Sequence, residues 1–246
     1  MQLTNYLASN HLTHKFQSAC SAGNRTETAL LRIVSDIVTA SDANQVSVLT
    51  LLDLLAAFDT IDYYILLCHL EQHFGVSGLA LSWFKSYVSN RFQFVSTSGS
   101  NSKLSKLDYG VQQGLMVGPI LFLLYTQPLS QILFNHSCSH QFFADDTQLC
   151  ESCSPVHYNN TKNTLQTCIS EAKDWITENK LQLNADKTET KLFSSSKLKH
   201  PPAFLSICRA TISFSYSVRN LGFNLDEELS MKEHINFVCK TAFLEI

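Results

Sequence analysis

The sequence predicts an α+β fold in which helices and short strands interleave along one chain. Three observations predict it. Apolar residues recur at helical spacing in several stretches, and apolar runs too short for helices lie between them. Clusters of Gly, Ser, Asn and Asp punctuate the two kinds of segment. With 246 residues, 45% hydrophobic and 16% charged, the chain has enough apolar surface for a real core, and disorder is excluded over most of it.

The elements follow in order. Residues 26–40, "TETALLRIVSDIVTA", set Ala29, Leu30, Ile33, Val34, Ile37 and Val38 on one helical face, with Thr26 available as a cap. "QVSVLTLLDLL" at 45–55 is a continuous run that suits a buried strand ending close to Asp53. A helix over Tyr64–Phe74 stops at Gly75, and a second packs Leu79, Trp83, Phe84 and Tyr87 along one stripe. "FQFVSTSGSNSKLSKLDYG" reads as two strands joined by a turn, and "GVQQGLMVGPILFLLY" as a glycine-spaced loop entering an apolar helix.

"QFFADDTQLC" at 141–150 is strand, acidic tip, strand. Residues 161–180 then carry Leu165, Cys168, Ile169, Ala172, Trp175 and Ile176 at helical spacing. "LQLNADKTETKLFSS" returns to short strands around a polar turn, and "SYSVRNLGFNLDEELS" to a hairpin before a helix near Ser230.

Composition narrows the function. The formal net charge of −3 shows no global basic bias, so any nucleic acid would be held by local grooves. The N-terminus has neither a basic start nor an apolar run, and "PILFLLY" at 119–125 is far shorter than a bilayer span. A soluble intracellular protein with no membrane partner is the expectation, in cytoplasm or nucleus. Eight scattered cysteines read as reduced thiols. His136, Cys138 and His140 ahead of the Cys150–Cys153 C-x-x-C pair raise a zinc alternative. Strand residues of alternating orientation would not bring four such ligands together.

Asp53 and the pair Asp145–Asp146 lie about 90 residues apart, each closing an apolar run. A sheet with neighbouring strands would bring them to one rim. Crowded carboxylates are unfavourable unless cations sit between them, and hard Mg²⁺ prefers such oxygens. Two ions roughly 3.5–4 Å apart form a clamp for in-line phosphoryl transfer. The alternative is a solvated hairpin tip, where Asp is common for its own backbone hydrogen bonding.

The motifs "LLDLLAAFDTID" (51–62), "GVQQGLMVGPILF" (110–122), "FFADDTQL" (142–149), "LQLNADKTE" (181–189) and "VRNLG" (218–222) occur in this order. In order and approximate spacing they resemble the successive motifs of a reverse transcriptase from a non-LTR (LINE-type) retrotransposon. The resemblance extends to "QSACSAGNRTETALL" and "LSWFKSYVSNRFQFV", so it covers nearly the whole chain. It implies a right-hand polymerase with a small antiparallel palm sheet packed on helices. On that pattern residues 1–50 are partial fingers, 51–215 the palm with a fingers insertion, and 216–246 a primer-grip-like hairpin with the start of a thumb.

The resemblance also implies chemistry. The family copies an RNA template by adding deoxynucleotides from dNTPs to a DNA primer 3′ end. Asp53, Asp145 and Asp146 would hold two Mg²⁺ ions, with Mn²⁺ as the alternative metal and the Leu54 carbonyl as a further ligand. Lys187 would meet the pyrophosphate, or is a solvent-facing lysine in a polar turn. Phe58 would stack beneath the incoming sugar, or is a core Phe. Gly110, Gln113 and Gly114 would lie against template and nucleotide, and Arg91 and Arg219 would contact backbone phosphate. Asp59 and Asp62 read more simply as helix-start acids.

The chain departs from the family pattern in places. "QQGL" stands for the usual "PQGS", so Gln112 replaces a proline and Leu115 a serine. "QSACS" stands for "QSGFR", so Ser21 replaces the arginine expected at the triphosphate, and a bidentate cation is lost. The sequence also starts after the family's first finger motif and stops where a thumb should form. Two functions stay open: a polymerase palm cut at both ends, or a non-catalytic remnant that folds or binds nucleic acid.

Overall fold

The structure is a computed structural model and describes residues 2–12, 17, 25–112, 117–194, 204–207 and 210–244. The helices are α1 (Gln2–Ser9), α2 (Thr26–Asp42), α3 (Tyr63–Gln72), α4 (Gly78–Val88), α5 (Val117–Thr126), α6 (Leu129–Asn135), α7 (Tyr158–Glu178) and α8 (Lys232–Leu244). The longer strands are β1 (Val46–Leu52), β6 (His140–Phe143), β7 (Asp146–Cys153) and β8 (Glu189–Ser194). Short strands β2 (Arg91–Gln93), β3 (Ser96–Thr97), β4 (Ser100–Asn101) and β5 (Ser105–Leu107) come before β6, and β9 (Phe204–Ile207), β10 (Ala210–Ser213), β11 (Ser217–Asn220) and β12 (Phe223–Asp226) after β8. Helices and antiparallel sheets therefore mix as the sequence predicts.

By packing, the chain forms two compact units, each assembled from three stretches. A helical unit takes Met1–His14, Leu55–Ser130 and Trp175–Gln182; a sheet unit takes Lys15–Leu54, Gln131–Asp174 and Leu183–Ile246.

The sheet unit is built on four antiparallel strands in the order β6-β7-β1-β8. β1 is central and buried along its length, which explains why its sequence is continuously apolar rather than alternating. Leu49 faces Cys150 on one side and Lys191 on the other. On that face α2 supplies Leu30, Ile33 and Ile37, which close a core with Leu49, Cys150, Phe193, Val218 and Leu225. Two details of α2 differ from the sequence reading. Arg25, not Thr26, occupies the cap position, and its N–H is taken by the Thr28 hydroxyl at 2.9 Å. Val38 is 43% exposed, because the buried stripe turns towards Ala40 instead. Asp226 ends β12 and shapes the entry to α8: its carboxylate accepts from the Glu228 and Ser230 backbone N–H groups and from the Ser230 hydroxyl.

In the helical unit α3 packs against α4 and α5. Asp62 caps α3 by accepting from the N–H groups of Tyr64 and Ile65, the helix-start role expected of it. The helix ends before Gly75, whose φ is +65°. The stripe predicted to bury α4 is only partly core. Phe84 and Val88 are buried, whereas Leu79 is 91% and Trp83 53% exposed. Periodicity locates an apolar face but does not say what covers it. The strands after α4 form a hairpin whose tip, Ser98–Gly99, has positive φ at both residues, the geometry favoured by strand twist.

Val117–Asn135 is long and apolar enough by composition to cross a membrane, which the seven-residue run alone is not. Half of it is buried within the protein, and it is two helices, α5 and α6, separated at Gln127–Pro128. Proline there cannot continue the hydrogen-bond ladder.

Two buried histidines give the fold a pH dependence. His69 Nδ1 lies 3.1 Å from the Tyr125 carbonyl, and His140 Nδ1 2.8 Å from that of Cys138. Burial holds both rings below the ordinary histidine range, with His73 adding to the effect at His69. The unfolded chain therefore binds more protons than the native one once pH falls below the unfolded value, so stability falls there. The thermal midpoint should drop between pH 7.5 and 5, and His69→Gln should flatten that slope.

Candidate active site

The strand register brings the acids together. β1 pairs with β7 from Val46–Cys153 to Leu52–Thr147, and one more step along both chains sets Asp53 across from Asp146. β1 pairs with β8 up to Leu51–Glu189; beyond it the turn at 185–187 intervenes, so that Asp53 meets Asn184 and Leu54 meets Leu183. Because side chains alternate, Leu51, Asp53, Asp146, Gln148 and Glu189 share the face on which Leu49 and Phe193 meet α2. A cavity of about 500 Å³ opens at this end of the sheet. Asp53, Asp146, Asp186 and Glu189 line it with Lys187, Arg219, Gln148 and Asn220.

Asp145 sits in the two-residue turn between β6 and β7, after Ala144 at φ +55°. Alanine in that region is strained, and such strain is stored where the surrounding structure fixes it. Burial first, then the charges of Asp145 and Asp53, push the Asp146 carboxyl up to about 6. Asp146 reaches solvent, so screening weakens that repulsion. Asp146 nevertheless feels the charges of both neighbouring carboxylates.

Asp53 is held from the turn that carries Lys187. Its Oδ2 accepts from Asn184 Nδ2 at 2.8 Å, and its carbonyl accepts from the Asn184 N–H at 2.8 Å. The Asn184 carbonyl in turn accepts from the Thr188 N–H and hydroxyl, which closes the turn around Asp186 and Lys187. Asn184 was missed as a functional residue although its motif was recognised; an Asn opening a polar turn is the only signal the sequence offers. Removing such an orienting partner commonly costs 10–100-fold. Asn184→Ala should lower any activity of Asp53 by about tenfold or more, with the thermal midpoint as a control.

Arg219 stands on β11 at the cavity rim, its guanidinium carbon 4.9 Å from the centre of the Phe237 ring on α8. Its N–H donates to Glu189. Beneath it, Asn220 Nδ2 donates to Gln148 Oε1 at 3.3 Å, tying the β11–β12 hairpin to the strand that begins at Asp146. Lys187 is exposed on the turn. Leu54 is buried and bridges to Leu183.

Phe58, Arg91 and Gly110 belong to the helical unit and meet there. Tyr109 bridges to Asp62, Gly110 N–H donates to the Ile61 carbonyl, and Val111 N–H to that of Phe58. Gly110 has φ +90°, and a Cβ there would lie 3.0 Å from the Asp59 carbonyl oxygen, so the close backbone approach it permits is to Asp59. Its carbonyl accepts from Tyr63 Oη and Arg91 Nη1. Arg91 thus already spends one donor within the unit. Phe58 is half-buried and stacks on Phe122 with ring centroids 4.4 Å apart, leaving both sequence readings of it open. Gln113, Gly114, Leu115 and Ser21 lie outside the described residues.

Hard carboxylate oxygens gathered at one rim are the donor set a divalent cation such as Mg²⁺ prefers, so the chemistry of the residues fits that ion. Among the described residues no three His, Cys, Asp or Glu side chains close round a common metal-sized point. The zinc alternative finds its members engaged elsewhere. His136 Nε2 is 2.8 Å from Glu171, His140 bonds the Cys138 carbonyl, and the Cys138 thiol meets Cys168.

Comparison with known proteins places this geometry. Residues 2–225 match the family "Reverse transcriptase (RNA-dependent DNA polymerase)". The chain is 24% identical over 238 residues to a probable RNA-directed DNA polymerase from transposon X-element of Drosophila melanogaster, covering 96% of this chain and 25% of that protein. It is 23% identical over 227 residues to the RNA-directed DNA polymerase from mobile element jockey of the same organism, covering 90% and 24%. The chain thus spans about a quarter of the length of these curated relatives. The fold is similar to apo telomerase from Candida tropicalis, truncated from the C-terminal domain (TM-score 0.62, 14% identity, 92% of this chain and 42% of that one). It is also similar to Candida albicans telomerase in complex with a fragment of telomeric RNA (TM-score 0.59, 14% identity, 92% and 37%). The motifs read from the sequence, the strand-end acids and the match across most of its length agree: this chain belongs to the reverse transcriptase family.

Proposed function

We propose that the chain is the nucleotidyl-transfer core of an RNA-directed DNA polymerase, with the sheet unit as palm and the helical unit carrying the fingers insertion. The observation that carries this reading is the register that sets Asp53 opposite Asp146 at one end of the sheet, with Lys187 on the rim of the same cavity. Asp53, Asp145 and Asp146 would hold two Mg²⁺ ions, with Mn²⁺ as a substitute and the Leu54 carbonyl as an additional ligand. Bound there, the ions would favour the primer 3′ oxygen as nucleophile and neutralise charge on the triphosphate.

The chain's own residues do the rest. Asn184 keeps the Asp53 carboxylate oriented, and Lys187 offers a cation to the departing pyrophosphate. Arg219, steadied by Phe237, contacts primer phosphate, while Arg91 has donors left for the template strand. Phe58 presents its ring beneath the incoming sugar, where bulk alone excludes a 2′-hydroxyl. Gly110, Gln113 and Gly114 would meet template and dNTP.

A second reading, a non-catalytic remnant, is favoured by Ser21, Gln112 and Leu115, where the sequence departs from the family pattern. The test is deoxynucleotide incorporation on a primed RNA template with Mg²⁺, for the chain and its Asp145→Ala variant. Incorporation that Asp145→Ala abolishes supports the polymerase. Signal surviving the substitution refutes the catalytic assignment, and no incorporation by either supports the remnant.

A further inference from the structure

The outward stripe of α4 is an aromatic ladder. Leu79 and Trp83 are exposed one turn apart, and the Trp83 ring stacks on Tyr87 at a centroid distance of 5.5 Å and an interplanar angle of 18°. Arg91 continues the row, its guanidinium carbon 6.0 Å from the centre of the Tyr87 ring. Phe84, buried and edge-on to Trp83 at 5.0 Å, anchors the indole from beneath. The neighbouring hairpin pairs Phe92, 56% exposed, with Lys106.

Along the chain from Gln72 to Leu107 the formal charge is of one sign. No acidic residue occurs between Glu71 and Asp108, while Lys85, Arg91, Lys103 and Lys106 all do, in a chain whose formal net charge is −3. Lys106 also pairs with Asp108, which leaves Lys85 on α4 and Arg91 at its end as the cations nearest the ladder in sequence. Leaving large apolar rings in water is unfavourable, and contiguous exposed patches mark interaction surfaces. Protein interfaces deplete lysine, whereas stacked rings within a basic field suit a polyanion whose bases can lie on them.

We propose that the outer face of α4, centred on Trp83 and Tyr87, binds single-stranded nucleic acid by base stacking, with the surrounding Lys and Arg side chains attracting its phosphates. Every base has a π-face, so the surface takes RNA and DNA strands alike. Arg91 apart, the residues of this surface have no part in the transferase reading, so the two can fail separately.

The test measures binding of labelled oligouridylate and oligothymidylate to the full chain by fluorescence anisotropy. Trp83→Ala should weaken both by about 5- to 150-fold, the range for loss of one stacked base, and Trp83→Phe should restore most of the affinity. Nucleic acid should quench intrinsic tryptophan fluorescence in the wild-type chain and not in Trp83→Phe, where only Trp175 remains. Binding and quenching should persist in EDTA, which separates this surface from a cation-dependent carboxylate rim. Because Trp83 is exposed, an unchanged thermal midpoint is the folding control. Undiminished affinity in Trp83→Ala, a loss confined to one of the two sugars, or the same quenching in Trp83→Phe would overturn the proposal. Self-association in sedimentation that Trp83→Ala removes while oligonucleotide affinity holds would overturn it in favour of a protein partner.

Discussion

Asp146→Asn should reduce incorporation of deoxynucleotides on a primed RNA template by about three orders of magnitude or more, the scale of several kcal/mol of transition-state stabilisation that a bound divalent ion supplies. The same substitution should raise the thermal midpoint of the metal-free protein. Asp146 stands across from Asp53 and beside Asp145, and it feels both charges. Near neutral pH the repulsion opposes folding, so an amide of the same shape relieves it. Magnesium should act likewise on the wild-type chain, raising its midpoint, and should do so less in the variant. The paired measurement is incorporation rate and thermal midpoint with Mg²⁺ or EDTA. A midpoint that falls in Asp146→Asn without metal would show that the carboxylate is satisfied by something other than a cation.

Leu49→Ala should destabilise the sheet unit by about 3–5 kcal/mol, the range for a fully buried leucine that leaves a cavity. Leu49 is completely buried on the central strand, with Cys150 and Lys191 across the two ladders and α2 above. Its neighbours are fixed by hydrogen-bonded strands on both sides, so little collapse can fill the space. Against a typical stability of about 5–15 kcal/mol this is a large fraction. Denaturant melts should show a lowered midpoint, and hydrogen exchange should quicken first in β1, β7 and β8. An unaltered midpoint would mean that the strand's apolar face is not the core on which the unit depends.

Much of the site was legible because strand ends are legible. A continuous apolar run stopping at Asp53, and a hairpin with Asp145 and Asp146 at its tip, put carboxylates at rims before any register was known. The helical face of α2 was legible from its spacing, apart from Val38, where the buried stripe drifts round the helix. What could not be read were contacts between distant stretches. Asn184 meets Asp53 across 131 positions, and nothing local marks it as a clamp. The stripe of α4 was expected in the core because amphipathic spacing cannot distinguish a face covered by the protein's own chain from one left open. Gly110 was assigned to substrate approach, yet its positive φ and contact with Asp59 already account for a glycine there.

The way the two units draw on the chain bears on how the molecule can be made. Neither is a contiguous stretch: the helical unit is completed only by Trp175–Gln182, and the sheet unit only by residues beyond Leu183. A nascent polypeptide emerging from the ribosome would therefore hold both cores incomplete until the stretches from Trp175 onward had emerged, with long-range strand pairing still to come. Splitting the gene anywhere between codons 15 and 182 would sever both bodies rather than release either one.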